Sequence, residues 1–167
     1  YISHIRNEAE TFESALEEII SIGQQASLPV QISHIKLARR GLWGKADKII
    51  ERLNRARAKG IDITADIYPY TYWSSTLTVL FPNRDYDNKR SAKYALSELT
   101  SPEGMTLALF APQPELVGKT IAEIARSRDV DAATAYMDLI RQSFDYKKKS
   151  GKNYDDVPVE SVIGVSM

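Results

Sequence analysis

The 167-residue sequence contains no cysteine. That absence excludes a disulfide-stapled scaffold and any thiolate metal site within the sequence, without fixing a compartment. Glycine and proline are sparse, with 8 and 7 residues, which excludes collagen-like and low-complexity classes. Neither sign of charge is in excess: 22 Lys+Arg balance 22 Asp+Glu, and no run of like charge is longer than Lys147-Lys148-Lys149. A chain so balanced projects no field toward polyphosphate or anionic lipid, so no nucleic-acid or membrane partner is expected. No apolar run approaches the roughly 20 residues of a membrane helix, and no signal-peptide pattern opens the sequence.

What is present is a 43% hydrophobic composition, enough for one sizeable core. The partner expected of such a chain is a small molecule or another protein. Both ends are apolar, Tyr1-Ile2-Ser3-His4-Ile5 and Val162-Ile163-Gly164-Val165, where independent domains usually end in polar segments. The sequence therefore reads as a segment of a longer protein.

Through residue 68 the pattern alternates between strand and helix. Tyr1 to Arg6 is rich in β-formers, and after Asn7 to Glu10 the positions Phe12, Ala15, Leu16, Ile19 and Ile20 form one helical face that ends near Gly23. Val30 to Ser33 predicts a second strand. A second helix follows with Ala46, Ile49, Ile50, Leu53 and Ala56 inward, closed by Gly60, and Ile61 to Ile67 predicts a third strand. This alternation points to a parallel sheet with right-handed crossovers.

The alternation is also a repeat in letters. Ile2-Ser3-His4-Ile5-Arg6 returns as Ile32-Ser33-His34-Ile35-Lys36, and the two histidines, which are all the sequence has, hold equivalent places. Ligands of parallel α/β folds bind at the strands' C-terminal ends, and neighbouring strands lie about 4.8 Å apart. Two imidazoles there can meet one cation. A catalytic zinc needs three protein ligands, so the pair is an incomplete set. The plain alternative is two strand-end histidines bonded to backbone.

Several stretches, taken in order, resemble the D-aminoacylase (N-acyl-D-amino-acid deacylase) family of metal-dependent amidohydrolases. They are His4-Ile5-Arg6-Asn7-Glu8, Pro29 through Lys36, Trp43-Gly44, Ala65 through Thr71, and Leu116 through Ala125. The resemblance implies an α/β fold in which this chain is a partial (β/α)8 TIM barrel, about three parallel βα units (strands 5–7), followed by a mostly helical insertion. It implies zinc as cofactor, with His4 and His34 as metal ligands, and an N-acyl-D-amino acid as the small-molecule substrate. Lys36, Tyr68 and Ser74, with Ser75 as the alternative to Ser74, are implied to hold the substrate carboxylate and carbonyl. The family's His-x-His, its Cys ligand and its proton-carrying Asp have no counterpart here, so no catalytic residue is assigned within the chain. Asp66 is expected to be structural, and Arg6 and Glu8 to form an ion pair.

Residues 76–167 read as an insertion or lid following a barrel segment at 1–75. In it, Lys89 to Leu99 predicts a helix, Thr106 to Phe110 a strand, Ile121 the start of another helix, Asp131 the cap of a further one and Lys147 to Asp156 a surface loop, and the region is expected to end shortly before the eighth barrel strand. Alternative readings are a cyclic-amide hydrolase of the hydantoinase or dihydroorotase kind, and a non-catalytic folding unit that self-associates through open sheet edges. Alone, the segment is expected to be inactive and to bind zinc weakly. A cytoplasmic location is expected from the resemblance.

Overall fold

A computed structural model describes residues 1–151 and 158–165. The chain divides into two compact units, Tyr1–Tyr70 and Thr71–Met167. This division falls five positions before the one read from sequence, because the segment after Tyr70 pairs into a sheet of the second unit.

The first unit is a mixed α/β layer. Strand β1 (Ile2–Ser3), helix α1 (Phe12–Ala26), strand β2 (Val30–Ile32), helix α2 (Ala46–Ala58) and strand β3 (Ile63–Ala65) follow in order, and the strands form a parallel sheet β1-β2-β3. Its registers are Ser3 opposite Ile32 and Ile32 opposite Ala65. The strands are shorter than the sequence pattern predicts, since each turns away where the loops carrying the polar residues begin. Phe12, Leu16 and Ile19 from α1 pack with Val30, Ile32 and Ile63 from the sheet and Leu53 from α2. Gly23 lets α1 approach closely: a Cβ there would sit 3.1 Å from side-chain carbons of Ile61 and Val30. Ile50, expected inward, is exposed, while Ile49 and Leu53 carry the buried face. Gly60, at φ +83°, closes α2 in the left-handed conformation that glycine adopts without penalty.

The second unit is rich in helix, as expected, but it also contains an antiparallel sheet that the sequence pattern did not predict. Strands β4 (Tyr72–Ser75), β5 (Met105–Phe110) and β6 (Glu160–Val165) form an antiparallel sheet in the order β4-β6-β5. Helices α3 (Lys89–Tyr94), α4 (Ile121–Ser127) and α5 (Ala132–Ser150) complete it, and α3 runs on into a π-helical turn over Ala95–Leu99. Thr120 and Glu123 cap α4 reciprocally, and Asp131 caps α5 by accepting from the Thr134 N–H. The helix α5 extends to Ser150, into the stretch read as a loop, and positions 152–156 of that loop lie outside the described residues. A core of Phe110, Leu107, Ile124, Leu139 and Tyr136 is fully buried, and the Tyr136 hydroxyl donates to the Leu77 carbonyl. Among the described residues no helix is long and apolar enough to cross a membrane.

Candidate functional site

His4 and His34 are brought together. Ladder register and letter repeat differ by one residue: the repeat equates Ile2 with Ile32, whereas the sheet pairs Ile2 with Gln31. A one-residue offset in a continuing ladder would send the two side chains to opposite faces. Instead β2 ends at Ile32 and His34 adopts φ +40°, a left-handed turn uncommon for a residue with a side chain. The turn is held by Asp66, just beyond β3. Its Oδ1 accepts the His34 N–H at 2.7 Å, its carbonyl accepts the Ile35 N–H at 2.9 Å, and its own N–H donates to Ile32 at 3.1 Å. Gln31 Nε2 donates to the second carboxylate oxygen at 2.7 Å. These bonds, the His34 amide first, hold the Asp66 carboxyl below its ordinary range. Asp66 thus braces the turn that carries His34.

The turn places His34 Nε2 3.2 Å from His4 Nδ1, with ring centroids 4.7 Å apart. Two nitrogens each about 2.05 Å from a tetrahedral zinc are separated by about 3.3 Å. The gap is thus one that a proton or a zinc ion can bridge, and neutral imidazoles are suitable zinc donors. Desolvation, aided by His34 and Lys36 and opposed by Glu8, lowers the His4 pKa, which favours the neutral, lone-pair-bearing form.

Glu8 is the residue that sequence reasoning missed. Its Oε1 lies 2.5 Å from Lys36 Nζ, 3.4 Å from His34 Nδ1 and 3.7 Å from His4 Nδ1. With the two histidines it forms a three-residue group of potential cation donors. The expected Arg6–Glu8 pair does not form: Arg6 Nε bonds Glu18 at 2.7 Å, because α1 brings Glu18 alongside the end of β1. Lys36 also lies 3.3 Å from His34 Nδ1. The Tyr68 hydroxyl is buried without a hydrogen-bond partner, and its pKa is raised by desolvation first and by the Glu8 charge second. The structure therefore gathers His4, His34 and Lys36 around Glu8. Ser74 and Ser75 lie on β4 of the second unit, opposite Ile163 and Val162. The signal that could have found Glu8 is its spacing, four residues after His4 and next to a turn.

The chain is 32% identical over 135 residues to N-acyl-D-glutamate deacylase of Alcaligenes xylosoxydans xylosoxydans, and 30% identical over 129 residues to D-aminoacylase of the same organism. These matches cover 81% and 77% of the chain but only 24% and 23% of those proteins, so the chain spans about a quarter of the relatives' length. The fold matches a crystal structure of N-acyl-D-glutamate deacylase from Bordetella bronchiseptica, complexed with zinc and a phosphonate inhibitor. There the TM-score is 0.70 at 26% identity, over 99% of this chain and 28% of that one. A D-aminoacylase structure that describes an amidohydrolase subset matches in fold with a TM-score of 0.67. No protein-family model matches the chain. The fold is that of amidohydrolase chains. Within that class, the sequence belongs to the D-aminoacylase and N-acyl-D-amino-acid deacylase family.

Proposed function

We propose that this chain supplies the fifth to seventh βα units of a (β/α)8 barrel, and half of a zinc site, to a hydrolase of N-acyl-D-amino acids. The observation that carries the reading is the 3.2 Å approach of His4 Nδ1 to His34 Nε2 at the C-terminal ends of adjacent parallel strands. His4 and His34 would hold the metal, and donors outside this chain would complete its coordination. Bound zinc supplies Lewis acidity toward water and an amide carbonyl.

This chain's own residues do the remaining work. Lys36, half-buried and charge-balanced by Glu8, is the cation for a substrate carboxylate, which would share or replace the Glu8 contact. The Tyr68 hydroxyl, without a partner and held protonated by its surroundings, is a donor available to a substrate oxygen. Each oxygen of Asp66 is engaged in holding the turn, by His34 and by Gln31, and proton transfer between nucleophile and leaving amine is assigned to a carboxylate outside the chain.

The test is a panel of linear N-acyl-D-amino acids, their L-forms and cyclic ureides, offered to the full-length protein. Turnover of the linear D-substrates, abolished by His4→Ala and by His34→Ala, is expected. Turnover of cyclic ureides alone would overturn the reading.

A further inference from the structure

We infer that Gln31 is a positioning residue for the metal site: backed by Thr64, its side chain locks the Asp66 carboxylate in the orientation that holds the His34 turn. The inference deepens the proposed site and rests on that reading for its function, though its hydrogen bonds lie within the first unit alone.

The sheet register brings the three residues together. Gln31 lies opposite Thr64 in the β2–β3 ladder, and Asp66 follows Thr64 by two positions, just past the end of β3. Side chains two apart along a strand share a face, so Gln31, Thr64 and Asp66 stand on one side of the sheet. Val30, Ile32 and Ile63 occupy the other side, buried with the apolar residues of α1 and α2. In the proposed barrel the polar side is the interior, and each polar atom enclosed there needs a partner.

The bonds run in one direction. Asp66 Oδ1 accepts the His34 N–H, and Gln31 Nε2 holds Oδ2 at 2.7 Å, which stops the carboxylate from rotating. An ionised carboxylate only accepts, which fixes the Gln31 amide with its nitrogen toward Asp66 and its oxygen toward Thr64. The Thr64 hydroxyl then donates to Gln31 Oε1. The Val30 carbonyl, at 3.5 Å, is a longer alternative for the same proton. Glutamine suits this position where its analogues do not: Asn is one methylene shorter, and Glu would set a second acceptor against the Asp66 charge. A residue with a side chain at φ +40° stays there only when its surroundings hold it. A loosened Asp66 therefore releases the turn that brings His34 to His4.

The His34 amide proton reports the contact directly, because a short bond to a carboxylate deshields it and slows its exchange with solvent. In 1H–15N spectra of the metal-free chain at neutral pH, Gln31→Leu is expected to move that proton upfield and to speed its exchange about 10-fold. Zinc affinity of the full-length protein, measured by chelator competition, is expected to fall about 10-fold, the lower end of what losing a supporting partner of a metal ligand costs. Thr64→Val is expected to shift the same amide less, Thr64→Ser to leave it in place, and Thr64→Val to add nothing in a Gln31→Leu background. The two Thr64 variants carry the test if Gln31→Leu does not fold. A His34 amide unchanged in folded Gln31→Leu, equal shifts from Thr64→Val and Thr64→Ser, or additive effects of Gln31→Leu and Thr64→Val would overturn the inference. So would an unchanged zinc affinity in Gln31→Leu where His4→Ala lowers it. Failure of the zinc reading looks different: His4→Ala would then leave zinc affinity unchanged while the amide results stand.

Discussion

The backbone N–H of His34 is bonded to the carboxylate of Asp66 at 2.7 Å, across two neighbouring parallel strands. That bond couples β3 to the turn that aims the histidine. Its energetics follow from the depressed Asp66 pKa.

A carboxyl whose folded-state pKa lies below its unfolded value contributes stability that is present above the unfolded value and lost as pH falls through the folded one. Asp66→Asn removes this contribution. Urea titrations of wild type and Asp66→Asn should differ most at neutral pH and converge in acid, below the ordinary Asp value of 3.8. A difference that is constant with pH would mean that the carboxylate charge plays no part in holding the turn.

Glu160 should behave with the opposite sign. It is buried on β6, where desolvation raises its pKa, while the Leu77 N–H bonded at 2.7 Å offsets part of the rise. A raised folded-state value makes stability fall as pH climbs from the unfolded value toward the folded one. Glu160→Gln keeps an oxygen acceptor for Leu77 and removes the ionisation. Its stability relative to wild type should therefore increase from acid to neutral pH, and a flat difference would contradict the assignment.

Gly164 lies opposite Trp73 in the β4–β6 ladder, and a Cβ there would fall 2.1 Å from the indole ring. Because the obstacle is a rigid aromatic ring, Gly164→Ala should cost about 1–3 kcal/mol. In a Trp43→Phe background it should also shift Trp73 fluorescence. Pairing it with Trp73→Ala in a double-mutant cycle should recover part of the loss. Simple additivity would show that the ring is not the obstacle.

These sites also show how far the sequence alone carries. The parallel order of the first unit was legible because Phe12, Leu16 and Ile19 keep a helical period between β-rich runs, and the repeated Ser-His-Ile marked the histidines. Two features were not legible. β4 and β6 pair residues roughly 90 positions apart, as in Trp73 with Gly164, and two short strands carry no local period strong enough to announce such a partner. The convergence of the histidines depends on a left-handed turn at His34, held by Asp66 just beyond the next strand. Glu8 was read as a partner for Arg6, two positions away. The chain instead turns at Asn7 and takes Glu8 to Lys36.

The central claim is that His4 and His34 share one metal ion. It is tested most directly by titrating zinc into the 15N-labelled chain and following both imidazoles by long-range 1H–15N spectra. We predict that His4 Nδ1 and His34 Nε2 shift together with a single midpoint, and that either His→Ala substitution removes the response of the remaining ring. Two rings that respond at separate midpoints, or a ring unaffected by loss of the other, would contradict the account.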